Sequence, residues 1–145
     1  MYGNILFVVL FFINATVYSQ TVTTHKNVTK PDTLDGMKVS ANAEYLPVFP
    51  GGEPNLYKYV YENIKVPAAK KGDKLESKII ISFVIDTLGR IRNPYIVNPL
   101  NPDKLTPLED QVLQAFKGMP KWMAATEDGK KVPARLTLPF IISWQ

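Results

Sequence analysis

Residues 75–89 read LESKIIISFVIDTLG, an alternating apolar segment followed by a turn signal. From residue 75 to residue 85, all odd-numbered positions except Ser77 are apolar, whereas the even-numbered positions are mixed; the odd-numbered set is Leu75, Ser77, Ile79, Ile81, Phe83 and Ile85. Because successive side chains of a strand point to opposite faces, this alternation predicts a strand with one buried face. Asp86-Thr87-Leu88-Gly89 then predicts a turn, so residues 90–97 return as a second strand.

The second strand carries Pro94 near its middle. Proline has no backbone N–H and therefore cannot donate a hydrogen bond to a neighbouring strand. We expect this strand to lie at a sheet edge or to bulge at Pro94.

Two segments have apolar residues at helical spacing, which predicts helices with one apolar face. The first begins at Glu53-Pro54 and spans residues 53–64, because the chain cannot continue as a helix into Pro67. The second begins at Thr106-Pro107-Leu108-Glu109, a capping box with proline at the first helical position, and ends at Gly118.

The last strand follows the turn signal Asp128-Gly129 and spans residues 131–143. Its even-numbered positions form the apolar set Val132, Ala134, Leu136, Leu138, Phe140 and Ile142. The predicted fold class is α+β, with two helices packed on one face of a three-stranded antiparallel sheet. Trp122 is expected to pack the second helix onto this sheet, with ligand stacking as the alternative.

The N-terminal residues form an uninterrupted apolar run from Ile5 to Ile13. This is the length of a signal-peptide h-region, since a membrane-spanning helix needs about 20 apolar residues. Small residues before Gln20 place cleavage after Ser19, so residues 1–19 are predicted to be a signal peptide and the protein to be periplasmic. Because no Lys or Arg precedes the run, an uncleaved inner-membrane anchor made from residues 2–18 is the alternative.

Residues 20–44 are polar and show no sustained hydrophobic period, which predicts a flexible leader. The folded domain is expected to span residues 45–145, which is enough for one small hydrophobic core. The chain contains no cysteine, so it has no lipoprotein anchor, disulfide or thiolate metal site.

The net charge is +4 and the isoelectric point is about 9.2, but basic and acidic residues are interspersed along the chain. This distribution favours a solvated surface over nucleic-acid binding. His25 is the single histidine and lies in the predicted leader, so the domain has no imidazole for a triad, a zinc site or a general base. The sequence therefore predicts a protein that is not an enzyme and that holds no metal or cofactor.

Two prolines of the last strand, Pro133 and Pro139, share one parity. Residues of one parity direct their backbone N–H and C=O groups to the same lateral side, so this side needs no donor at either proline and must be the free edge. Arg135 and Thr137 then offer unpaired backbone groups between the prolines, where an extended partner could add as a strand. Alternatively, the prolines only protect the edge and it binds nothing.

Short signatures in a fixed order resemble the C-terminal domain of TonB-type energy transducers, in the form common among Bacteroidetes. They are LPVFPGG at 46–52, NIKVP at 63–67, KIIISFVIDTLG at 78–89, MPKW at 119–122 and LTLPF at 136–140. In such domains the last strand receives the TonB box, an extended segment of an outer-membrane receptor. The matching positions here, and hence the predicted partner-binding residues, are Arg135, Leu136, Thr137 and Leu138.

The resemblance implies a periplasmic domain that binds TonB-dependent receptors or other envelope proteins and takes part in transport across the outer membrane. A complete transducer also has a membrane helix and a proline-rich spacer, neither of which is recognised in this sequence. A stand-alone binding domain is therefore expected, with membrane contact only if the N-terminal segment stays uncleaved. The alternative is a structural envelope module that pairs with itself as a homodimer.

Overall fold

A computed structural model of the chain describes residues 7–10, 33–41, 43–65 and 75–144. Its fold is mixed α+β, with helices packed beside antiparallel strand pairs. In these ranges no helix is long and apolar enough to cross a membrane. The predicted cleavage position after Ser19 and the leader residue His25 lie outside the described residues.

The elements follow one another in a simple order along the chain. They are β1 (Phe7–Leu10), β2 (Thr33–Leu34), β3 (Met37–Lys38), α1 (Glu53–Asn63), β4 (Leu75–Ile85), β5 (Ile91–Ile96), α2 (Pro107–Lys117), β6 (Ala125–Glu127), β7 (Lys130–Val132) and β8 (Ala134–Trp144). Both helices thus occupy the segments predicted from the sequence, and the first ends one residue earlier than expected.

The main sheet has the strand order β1-β8-β4-β5. Its centre is the antiparallel pair of β4 and β8, whose register is continuous from Leu75 opposite Trp144 to Ile85 opposite Ala134. The predicted three-stranded sheet corresponds to β8, β4 and β5. β1 adds a fourth strand beside Phe140 to Ser143, from within the residues predicted to be a signal peptide.

β5 lies at one edge of the sheet, as Pro94 predicts. Ser82 is opposite Tyr95 and Val84 is opposite Arg92, so β5 uses one more residue than β4 over this interval and bulges there. Asn93, directly before Pro94, has a positive φ of 49°. The expectation of an edge strand or a bulge is confirmed, since β5 shows both.

The turn after β4 is fixed by its glycine. Gly89 has φ of 80°, a conformation that a residue with a side chain rarely adopts. Its C=O accepts a hydrogen bond from the Trp122 N–H at 2.8 Å, and a Cβ at this position would collide with the Trp122 carbonyl. The turn therefore anchors the segment that follows α2.

α2 begins with the capping box that the sequence predicts. The Glu109 N–H donates to Thr106 Oγ1 at 3.2 Å, and the Thr106 N–H donates to Glu109 Oε2 at 2.7 Å. Glu109 is buried, and its Oε1 also accepts the Leu100 N–H at 2.8 Å, which holds the preceding loop against the helix. Burial alone would raise the pKa of Glu109, but these hydrogen bonds outweigh it and lower that pKa.

The hydrophobic core lies between the two helices and one face of the sheet. It combines the odd-numbered residues of β4 with the even-numbered residues of β8, as the alternation predicts. Phe116 of α2 is fully buried and packs against Phe83 and Phe140, with ring centroids 5.2 and 5.5 Å apart. Trp122 packs against Phe83 and Phe49 at 5.6 and 5.3 Å, so it joins the α2 end to the sheet.

The predicted last strand, residues 131–143, is divided in the structure. Residues 130–132 form β7, which pairs with β6 around Asp128-Gly129 in a separate two-stranded sheet. The long strand β8 begins only at Ala134. Pro133 lies between the two strands, and its C=O accepts the Ser40 N–H.

Residues 33–44 differ from the flexible leader expected there. β2 and β3 form a hairpin around Asp35-Gly36, and Leu34 is buried. Ala43 belongs to a small cluster with Ala125 and Ala134. The described structure of the domain therefore begins before Tyr45.

We expect Phe116→Ala to lower the free energy of unfolding by about 3–5 kcal/mol, because it removes a fully buried ring and leaves a cavity. Lys117→Ala, a change at the neighbouring exposed position, should alter this energy by less than about 0.5 kcal/mol. Urea denaturation followed by circular dichroism measures both values. Equal midpoints for the two variants would contradict the packing described for α2.

Candidate protein-docking edge

The candidate site is the lateral side of β8 that faces away from β4, here called the outer edge. Ser40 identifies this side, because its N–H donates to the Pro133 C=O at 2.8 Å and its C=O accepts the Arg135 N–H at 3.0 Å. The β8 register is continuous, so residues of the same parity have the same lateral direction. Thr137, Pro139, Ile141 and Ser143 therefore also direct their backbone groups outward.

Thr137 lies at the middle of the outer edge. Thr137 is exposed, and no described backbone group pairs with it on the outer side. Its Oγ1 is 3.1 Å from Ser82 Oγ, which lies on the neighbouring strand and is itself completely buried. This side-chain contact holds the backbone of Thr137 in place, so its lateral groups are pre-oriented for a further strand.

The structure separates the predicted partner-binding residues into two kinds. The backbone N–H and C=O groups of Leu136 and Leu138 point towards β4, where these residues lie opposite Phe83 and Ile81. The side chains of both leucines pack on the hydrophobic core. The backbone N–H and C=O groups of Arg135 and Thr137 point away from β4. The side chains of the two leucines are therefore structural, and only the parity of Arg135 and Thr137 suits strand addition.

The expectation that Arg135 offers an unpaired backbone N–H is wrong. This N–H donates to the Ser40 C=O at 3.0 Å. The sequence analysis missed the contact because it placed Ser40 in a flexible leader. The predicted docking window from Arg135 to Leu138 is thus partly occupied by the chain itself.

An ion-pair chain on the sheet face opposite the helices attaches the β2–β3 hairpin. Arg92 Nη1 lies 3.3 Å from Asp35 Oδ2 in the hairpin and 3.3 Å from Asp86 Oδ2 at the end of β4. Ser40 lies two residues after the last residue of the hairpin, Lys38. The contacts of Arg92 therefore help to hold Ser40 against the outer edge.

Asp86 is the buried member of this chain, with 2% of its surface exposed. Its Oδ1 accepts the N–H groups of Leu88 and Arg90 at 2.9 and 2.8 Å, and its Oδ2 accepts Arg90 Nε at 3.0 Å. Burial by itself would raise the pKa of Asp86. The hydrogen bonds and the positive charge of Arg90 outweigh burial, so that this pKa lies below its ordinary value.

One signal in the sequence could have located the hairpin. Asp35-Gly36 is the same dipeptide as Asp128-Gly129, and both adopt positive φ values at their two residues. Such a pair between short strands is the strongest short-range signal of a two-residue hairpin turn. The flanking residues of Asp35-Gly36 lack an alternating apolar pattern, which is why periodicity did not indicate strands there.

Aromatic residues of α1 form no comparable site. The Tyr57 hydroxyl donates to the Glu53 carboxylate, and burial together with this acceptor raises the pKa of Tyr57 to about 12. The Tyr59 hydroxyl donates to the Ala115 C=O at 3.2 Å and joins the two helices. Tyr61 is 51% exposed.

Within the described ranges, no three His, Asp or Glu side chains are grouped closely enough to hold a metal ion. Comparison of the chain with protein-family models, curated proteins and solved structures found no match. The geometry of the outer edge is therefore the main structural basis for a functional proposal.

We expect the stability of the protein to fall as the pH is lowered from about 5 towards 2. Because folding lowers the pKa of Asp86, its stabilising effect is complete above the unfolded value of about 3.9 and is lost as the pH falls through the lower folded value. Asp86→Asn should cost about 2 kcal/mol at pH 7 through lost charge-assisted hydrogen bonds, and should flatten this part of the profile. Urea denaturation at several pH values measures both effects.

Asp103→Asn is the matched control for this prediction, because Asp103 is exposed and its change should leave the profile unaltered. If Asp86→Asn follows the same pH profile as the unchanged protein, Asp86 is not a source of the acid sensitivity.

Proposed function

We propose that this protein is a periplasmic binding domain of the TonB C-terminal type. It recognises extended segments of outer-membrane receptors, such as the TonB box, by strand addition to the outer edge of β8. Through this binding it takes part in TonB-dependent transport across the outer membrane. The proposal assigns no catalytic step to the chain.

The observation that carries this proposal is that the outer edge of β8 already pairs with other backbone segments. Ser40 makes a parallel bridge to Ala134, and β1 pairs antiparallel with residues 140–143. An edge that accepts two segments of its own chain has the geometry that a partner strand requires. Main-chain hydrogen bonds would supply much of the affinity, since they do not depend on the partner's side chains.

The architecture and the ordered signatures support the identity of the partner. Two helices on one face of β8, β4 and β5 agree with the fold that the TonB resemblance implies. The LTLPF signature at 136–140 lies on the strand whose outer edge is open at Thr137. The prolines at 133 and 139 limit uncontrolled pairing, because neither can donate to an incoming strand.

The proposed location requires export. We expect the mature protein to begin at Gln20 and to be released by osmotic shock without detergent, because the apolar run at Ile5–Ile13 has the length of a signal-peptide h-region. Intact mass spectrometry of the released fraction measures the N-terminus. Recovery only from membranes, with a mass that includes residues 1–19, would favour the anchored alternative.

The docking edge is tested by two neighbouring proline variants of the chain that begins at Gln20. Thr137→Pro removes an outward N–H that no described backbone acceptor uses, so the protein should stay folded and lose peptide binding. Leu136→Pro removes an inward donor opposite Phe83 and should cost about 3 kcal/mol or more. Thr137→Ser, which keeps the N–H and the hydroxyl, is the control that should bind normally.

Circular dichroism melting and fluorescence anisotropy with a labelled TonB-box peptide give the two readouts. A folded Thr137→Pro variant that binds the peptide with unchanged affinity would rule out addition at this edge. If the unchanged protein binds no receptor peptide but forms a concentration-dependent dimer in sedimentation equilibrium, the self-associating envelope module is the better description.

A further inference from the structure

The outer edge is occupied at both ends by residues that precede the predicted domain. Ser40 lies at the Ala134 end, and β1 lies at the other end with Leu10 opposite Phe140 and Phe7 opposite Ser143. Between them, Thr137 and Pro139 have no partner strand among the described residues. The two occupants thus leave a short open interval.

The register of β1 separates its residues into two classes. Ile141 has outward lateral groups, by the same parity that directs the Arg135 N–H towards Ser40. Val9 is opposite Ile141, so this is a hydrogen-bonded pair of the antiparallel ladder, in which both N–H and both C=O groups are used. Val8 is opposite Ile142, whose backbone N–H and C=O point towards β4. The backbone N–H and C=O of Val8 therefore point away from β8.

The connection between the two occupants allows both to bind at once. Residues 134 and 140 are about 20 Å apart along a strand at about 3.4 Å per residue. Residues 11–32, which join β1 to β2, could span roughly 70 Å if extended at about 3.3 Å per residue. Chain length therefore does not prevent pairing of β1 with the edge of its own molecule.

We propose that Phe7–Leu10 is an intramolecular occupant of the docking edge and keeps it closed to partners until this segment is released or removed. The inference deepens the proposed function and rests on it, because it identifies the edge from Thr137 to Ser143 as the surface that a partner strand uses. An incoming strand at Ile141 needs the same backbone N–H and C=O groups that Val9 uses. The two cannot bind together.

The intramolecular occupant has an advantage over a free peptide. A tethered segment acts at an effective concentration on the order of millimolar, whereas a free probe is used at micromolar concentration. We therefore expect the full chain to bind a probe at least about tenfold more weakly than a full chain whose β1 cannot pair. Removal of residues 1–19 would remove β1 and abolish this closure. Cleavage of the predicted signal peptide would therefore also open the outer edge of β8.

Two proline variants of the full chain test the closure without any partner. Val9→Pro removes a donor that faces Ile141, whereas Val8→Pro removes a donor that faces away from β8. Both changes replace a valine by the same residue in the same apolar run, so they are matched. Hydrogen exchange at the Ile141 and Ser143 amides, measured by NMR, should be slow in the unchanged chain and in Val8→Pro, and at least about tenfold faster in Val9→Pro.

Equal exchange in the two variants would overturn the proposal. Slow exchange that disappears on dilution would also overturn it, because the occupant would then be a second copy of the chain. Circular dichroism melting of both variants checks that the sheet of β8, β4 and β5 remains folded.

A labelled TonB-box peptide then separates this inference from the proposed function. Tighter binding by Val9→Pro than by Val8→Pro supports both. Tight binding by the unchanged chain, with fast exchange at Ile141, contradicts the closure and leaves receptor recognition intact. Slow exchange that Val9→Pro abolishes, without peptide binding by any variant, supports the closure and contradicts receptor recognition.

Discussion

The antiparallel pairing of β4 with β8 forms the centre of the main sheet and positions the apolar face on which both helices pack. It joins two strands of 11 residues each without a register shift. This register brings the odd-numbered residues of β4 and the even-numbered residues of β8 to the same face, where α1 and α2 cover them. A slip of one residue would turn one of these apolar sets to the opposite face, so the hydrophobic pattern itself fixes the pairing. The lateral direction of every β8 residue then follows from it.

The two edges of the sheet are protected in different ways. β5 bulges at Asn93-Pro94, which bends the edge and removes a donor. β8 instead keeps a regular register with β4 and carries one proline, Pro139, at an outward position, so it loses one donor without losing its pairing with β4. A regular edge with an outward Thr137 is suited to accept a strand, whereas a bulged edge is not. This asymmetry is the physical basis for assigning the docking surface to β8.

Much of the fold could be predicted from local patterns. The capping box at Thr106, the alternation in β4 and the edge position implied by Pro94 all depend on residues close in sequence. The β2–β3 hairpin could not be found in this way, because its stability comes from distant groups such as Arg92 and from burial of Leu34. For the same reason the outward parity of Thr137 could be predicted, whereas the use of the Arg135 N–H by Ser40 could not. The apolar run around Phe7–Leu10 was ambiguous, since a uniformly apolar segment has no period that distinguishes a strand from an h-region.

The pairing of β1 with residues 140–143 of β8 joins segments that are made at different times during protein synthesis. A ribosome makes Phe7–Leu10 well before Phe140–Ser143, so this contact joins residues that are far apart in the sequence. Contacts of such separation form late and slowly. During translation, a factor that recognises the apolar segment around Phe7–Leu10 can therefore bind it before residues 140–143 have been made. Whether this segment binds such a factor or pairs with β8 then depends on the order of synthesis as well as on the two affinities.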